Sequence, residues 1–164
     1  SAMYIPLELT CGLFTFGPTE RELGGGGLGP YRRVDLHHPA SEGNLGELLA
    51  LDIPSGEVKW RHRTRAPFNT AALTTAGGLV FIGGWDRTMS ALDAENGDVL
   101  WQVRLATSNH GFPISYSVDG KQYIAMPAGI GGSTWASTVP AQLTPELHQP
   151  PRNGSSINVF ALPD

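Results

Sequence analysis

Residues 48–60 read LLALDIPSGEVKW, and residues 89–101 read MSALDAENGDVLW, 41 positions further on. Six residues recur in step: Ala50 with Ala91, Leu51 with Leu92, Asp52 with Asp93, Gly56 with Gly97, Val58 with Val99 and Trp60 with Trp101. Each copy is a short apolar run, a glycine-bearing turn and a returning run that ends on tryptophan, the pattern of a β-hairpin. A repeat of this period is that of one blade of a β-propeller, a small antiparallel sheet that cannot bury its faces alone. The fold class is therefore all-β, a partial propeller of about two to three four-stranded blades. Two copies are too few to close a ring, so the question is what completes the chain.

Reading outward, one whole blade spans about residues 69–105. Its strands are residues 71–75, 79–83, 88–93 and 99–103, with turns at Gly77-Gly78, Asp86-Arg87 and Asn96-Gly97. Asn-Gly between alternating apolar residues is a strong hairpin signal. Before it, residues 47–51 and 58–62 form the hairpin that carries Trp60. After it, residues 113–118 and 121–126 flank the Asp119-Gly120 turn, and residues 157–162 form a last strand that closes against the first partial unit or another polypeptide. Residues 45–164 are thus the blade region. Residues 4–16 read as one or two strands of an incomplete blade, and the glycine-rich stretch 17–44 as a linker, a loop or a segment that packs on something else. Residues 133–153 are a proline-rich excursion. Ser1-Ala2-Met3 resembles the remnant of a cleaved tag followed by a start methionine, and no signal peptide is read.

The 164 residues suffice for a real core, and 40% of them are hydrophobic, which excludes a disordered composition. Gly (21) and Pro (13) are abundant, which suits short strands and tight turns. A formal charge of −4 gives no reason to expect nucleic acid. The basic run Lys59-Arg61-His62-Arg63-Arg65 alternates within a strand and reads as a solvated face. No stretch approaches the length of a membrane span. Cys11 is the single cysteine, so an internal disulfide is excluded. His37, His38, His62, His110 and His148 show no metal-ligand spacing, and the glycine run 24–27 lacks the Lys-Ser/Thr of a phosphate loop.

Three strings in order, LLALDIPSGEVKW, LTTAGGLVFIGGWDRTMSALDAENGDVLW and ISYSVDGKQYIAMPAGIGG, resemble the tryptophan-docking blades in the C-terminal third of quinoprotein dehydrogenases. Those enzymes use pyrroloquinoline quinone (PQQ) to oxidise alcohols or glucose. YIPLELTCG is similar to the preceding strand of alcohol-oxidising members, whereas LTTAGGLVF and the ending FALPD look closer to the glucose type. The resemblance implies PQQ near the ring axis, a calcium or lanthanide ion beside it and a periplasmic location. It also implies that the metal ligands and the carboxylate base come from blades outside these strings. A catalytic residue and a metal ligand are accordingly not assigned in this chain.

The cofactor-binding candidates are Asn69, Phe68, Trp135, Gly131 and Gly132. The resemblance places Asn69 and Phe68 where family members line the quinone pocket, and the Asn69 amide can pair with quinone oxygens. The alternative is a residue capping the start of a strand. Trp135 follows AGIGGST where relatives have tryptophan directly after the glycine pair. Gly131 and Gly132 either allow close approach to a flat ligand or serve a turn. Trp60, Trp101, Asp52 and Asp93 read as structural: the rings fill wedges between blades, and the carboxylates accept from turn N–H groups. Trp85 reads as a blade-edge residue. Three functions fit: a fragmentary PQQ dehydrogenase homologue that is inactive alone, a homo-oligomer or partner-completed ring that binds a quinone, and a non-enzymatic scaffold module.

Overall fold

The computed structural model describes residues 1–18, 24, 31–129, 135–148, 150–151 and 153–161. Its strands form three successive antiparallel blades and one separate hairpin. The first blade joins β1 (Ala2–Glu8), β4 (Gly46–Asp52) and β5 (Val58–Thr64) in the order β1-β4-β5. The second is a four-stranded meander of β6 (Leu73–Thr74), β7 (Leu79–Gly83), β8 (Thr88–Asp93) and β9 (Val99–Arg104). The third orders β10 (Ile114–Val118), β11 (Lys121–Ala128) and β12 (Ser156–Ala161) side by side. Between β1 and β4 the chain detours through the hairpin of β2 (Thr10–Phe16) and β3 (Tyr31–His37) and a 3-10 turn at Pro39–Ser41.

The sequence repeat is a repeat of structure. Trp60 pairs with Ala50 and Trp101 with Ala91, and the register shifts immediately afterwards in both, between Ala50 and Leu51 and between Ala91 and Leu92. Such a bulge sharpens the local twist. Asp52 accepts from the Ser55 N–H (3.2 Å), and Asp93 from the Glu95 N–H (2.7 Å), so the paired aspartates brace the two turns. The Ser55 hydrogen bonds hold the Asp52 carboxyl below its usual range. Between the first and second blades, Leu48, Ala50, Trp60, Val80, Ile82 and Leu92 form one core cluster. Between the second and third, Phe81, Met89, Ala91, Leu105, Ile124, Met126 and Ala128 form another.

Several expectations change. The last strand pairs with β11 of its own blade rather than with the first unit, Ile157 opposite Pro127. Among the described residues the second blade has four strands, as expected for residues 69–105, and the first and third have three each. The stretch 17–44 contains β3, which pairs along β2 from Thr10–His37 to Phe16–Tyr31. The excursion contains α1 (Trp135–Leu143), despite Pro140 within it. Ala2 and Met3 belong to β1, opposite Asp52 and Leu51. The basic run is ion-paired: Arg63 Nε lies 2.6 Å and Arg61 Nε 3.5 Å from the carboxylate of buried Glu47, and Lys59 Nζ 3.1 Å from Glu95. No helix among the described residues is long and apolar enough to cross a membrane.

In an antiparallel meander successive connections alternate between the two ends of the sheet. The turns near Gly56, Gly78, Gly97 and Gly120 therefore lie at one end. The other end gathers the detour through β2 and β3, the Gly84-Trp85-Asp86-Arg87 turn, the excursion and the segments that enter the second and third blades. Long connections held by a rigid scaffold are where binding residues concentrate. Two of these connections meet: Arg65 binds Glu146 and the carbonyls of Gly43 and Leu143, and the His37 ring contacts the same Leu143 carbonyl at 3.1 Å. The Arg65 guanidinium at the last carbonyl of α1 also suits the helix dipole.

Candidate cofactor-facing rim

The segments entering the second and third blades have the same backbone construction. Asn69 N–H donates to the Gly83 carbonyl (3.0 Å), and His110 N–H donates to the Pro127 carbonyl (3.2 Å). Phe68 bridges Gly84 as Asn109 bridges Ala128. Asn69 and His110 are thus counterparts on neighbouring blades. The two segments are also tied to each other. Thr70 and Gly111 form a parallel bridge, Gly111 N–H donates to the Asn69 carbonyl (3.3 Å), and Ala71 N–H donates to the Gly111 carbonyl (3.1 Å). Gly111 has φ +105°, a backbone region that side chains disfavour.

Beneath this rim the packing is tight. Thr70 Oγ1 accepts from Gly83 N–H (2.9 Å), and the Asn109 amide donates to the carbonyls of Gly84 (3.2 Å) and Thr88 (2.9 Å). A Cβ on Gly83 would stand 2.4 Å from Asn109 Cβ, so only glycine fits. Asn109 Oδ1 and Trp85 Nε1 are buried without hydrogen-bond partners. Trp85, expected at a blade edge, is in fact 2% exposed because the entering segments close over this end; its backbone N–H donates to the Pro67 carbonyl.

Asn69 is half-buried, and its side-chain amide makes no hydrogen bond among the described residues. Phe68 turns away into the core between the first and second blades, 6.3 Å from the His62 ring. Burial also lowers the His62 pKa. Trp135 opens α1. Gly131 and Gly132 lie outside the described residues. The described residues contain no group of three or more His, Cys, Asp or Glu side chains able to hold a metal.

The two repeat tryptophans differ in surroundings. Trp60 is 9% exposed, donates Nε1–H to the Ala94 carbonyl (3.1 Å) and packs beside Tyr4, whose hydroxyl reaches the same carbonyl (2.9 Å). A Cβ on Gly97 would meet the Trp60 ring at 2.7 Å, so the ring lies directly on the turn of the next blade. Trp101 is 39% exposed and meets Phe160 edge-on at 5.3 Å. It borders an apolar cleft of about 280 Å³ between the second and third blades, lined also by Leu79, Phe81, Leu100, Ile124 and Phe160. This cleft lies in a wedge between sheets and is not the rim.

Away from the rim, Glu8 stands where β1 passes into the β2–β3 hairpin. Burial pushes its carboxyl up to about 7; Arg33 opposes that shift and Asp35 adds to it. Glu8 Oε1 is buried and unpaired, while Asp35 holds Arg33 at 2.5 Å.

Residues 34–124 match the family described as glucose/ethanol/alcohol dehydrogenase, beta-propeller domain, the PQQ family. The chain belongs to this family. Over 127 residues it is 34% identical to quinoprotein alcohol dehydrogenase PedH of Pseudomonas putida, covering 76% of this chain and 20% of that protein. Over 93 residues it is 38% identical to methanol dehydrogenase [cytochrome c] subunit 1 of Paracoccus denitrificans, covering 57% of this chain and 15% of that protein. A europium-containing methanol dehydrogenase superimposes with a TM-score of 0.81 at 25% identity, covering 98% of this chain and 31% of that one. The chain therefore spans about one fifth of the length of PedH.

The sequence singled out Asn69 as a candidate but did not reveal that His110 is its counterpart on the next blade. The signal was present: His110 follows Asn69 by 41 residues, the offset of the tryptophan repeat, but the two positions carry different residue types, so identity alone does not reveal the match.

Proposed function

We propose that this chain supplies three neighbouring blades of a PQQ-dependent alcohol dehydrogenase propeller, and that its loop-rich end forms part of the wall around the quinone. The observation that carries this reading is the half-buried Asn69 amide, with no hydrogen bond among the described residues, on a rim braced by Thr70, Gly83 and Asn109. A residue so placed offers a donor to a quinone or carboxylate oxygen without costing the fold a hydrogen bond. Phe68 supports the rim from behind. When bound, the quinone supplies the oxidising chemistry by accepting two electrons from a carbinol; the protein orients it. The described residues contain no cluster fit for a calcium or lanthanide ion, and the family resemblance assigns the metal ligands and the base to other blades. The alcohol-dehydrogenase names of the relatives above favour alcohols over aldoses, and the family resemblance favours the periplasm.

On this reading the chain alone does not turn over alcohol. The test is dye reduction by the purified chain with PQQ, calcium and ethanol. Turnover by the monomer would overturn the proposal, because the described residues hold neither a metal set nor a placed base. The partly covered Trp101 and its cleft favour a second reading, in which another copy completes the edge of the third blade. Light scattering decides it: a discrete oligomer supports completion by a second copy, and a monomer with or without PQQ removes it.

A further inference from the structure

The rim has a second polar residue facing the same way as Asn69. Side chains alternate along an extended segment. Thr70 is turned inward, with Oγ1 bound to Gly83 N–H, so its neighbour Asn69 is turned outward. Asn109 is fully buried against Gly84 and Thr88, so its neighbour His110 is also turned outward. The parallel bridge between Thr70 and Gly111 then sets Asn69 beside His110, on backbones about 5 Å apart. His110 is half-buried, and its ring makes no hydrogen bond among the described residues. One step further along, Phe112 is 79% exposed beside Ala71 and forms an apolar shoulder.

We infer that His110 is a ligand-binding residue, paired with Asn69 across the junction of the second and third blades, and that the two donate hydrogen bonds to oxygen atoms of one planar, carboxylate-bearing quinone. This deepens the proposed function and rests on it. Neither residue is an internal brace: the bracing positions one residue away are already filled by Thr70 and Asn109.

The probe is PQQ itself, and binding to the full chain is read by quenching of tryptophan fluorescence. His110→Ala and Asn69→Ala are expected to weaken binding five- to tenfold each, about the worth of one hydrogen bond to a ligand. His110→Gln keeps an N–H donor at similar reach and stays within about threefold of the unmodified chain. Asn69→Asp, nearly the same size, places an anion against carboxylates and weakens binding more than Asn69→Ala. Arg61→Ala, on the outer strand of the first blade, leaves binding unchanged. Equal binding by His110→Ala and the unmodified chain overturns the inference and leaves the proposed function standing. So does equal loss in His110→Ala and His110→Gln, since a donor role predicts rescue by Gln. Failure of the unmodified chain to bind PQQ overturns the proposed function and the inference with it. Melting curves of each variant establish that it is folded, and Asn69→Asp carries the test if His110→Ala does not fold.

Discussion

Two glycines at the same place in the sequence repeat should respond differently to the same methyl group. Gly56 has φ +72° and Gly97 φ +80°, so alanine is strained at both, by about 1–2 kcal/mol. The added Cβ meets nothing within 4 Å at Gly56. At Gly97 it stands 2.7 and 2.8 Å from two ring atoms of Trp60. The ring is held by its bond to the Ala94 carbonyl and by Tyr4, so it cannot slide aside freely. Overpacking of this kind costs about 1–3 kcal/mol. Gly56→Ala should therefore lose about 1–2 kcal/mol and Gly97→Ala about 2–5 kcal/mol, the difference being the worth of seating Trp60 on the next blade. Urea denaturation followed by far-ultraviolet circular dichroism measures both. Tryptophan fluorescence of folded Gly97→Ala should shift to longer wavelength as the ring leaves its seat. Equal losses, with unchanged fluorescence, would refute the docking of Trp60 on that turn.

Glu8→Gln should stabilise the chain at pH 8 and leave it unchanged at pH 4. The folded carboxyl titrates near 7 against an ordinary 4.5, so the native state holds its proton longer and stability falls as pH rises through that window. The full shift corresponds to about 3 kcal/mol and, discounted for solvent screening, to about 1–2 kcal/mol; urea midpoints that differ equally at both pH values would contradict it. Gly83→Ala should cost about 3 kcal/mol or more, because backbone lies behind both contacting groups, and a melting temperature within a degree or so of the original would refute the close approach of Asn109. Trp60→Ala should cost about 3–5 kcal/mol and Trp101→Ala clearly less, since Trp101 is already partly exposed. Equal urea midpoints for the two would show that Trp101 is as firmly seated as Trp60.

The middle blade was legible because every strand in it is local. The bounds expected for the second and third strands, residues 79–83 and 88–93, are those of β7 and β8. The innermost strand is shorter than residues 71–75, only Leu73–Thr74, because Thr70 and Ala71 are drawn into bonds with Gly83 and Gly111 instead of the ladder. α1 was hidden by Pro140 and a polar, proline-rich neighbourhood, although the helix is anchored from outside by Arg65 and His37. β3 was hidden by the glycine run before it, and Phe14, Phe16 and Tyr31 pack on one another only once β2 and β3 are paired.

Amino-acid order by itself determined the repeating unit: where the strands and turns fall, which positions carry glycine, and that two tryptophans hold equivalent places in equivalent strands. These features are local, set by alternation and by the backbone freedom of glycine. Tertiary structure alone decided which strand lies beside β12, why Trp60 is buried while Trp101 borders a cleft, and that Asn69 and His110 stand together. Backbone hydrogen bonds between strands carry no label for their partner, and burial depends on what the neighbouring blade presents. The candidate rim exists only where two such blades meet.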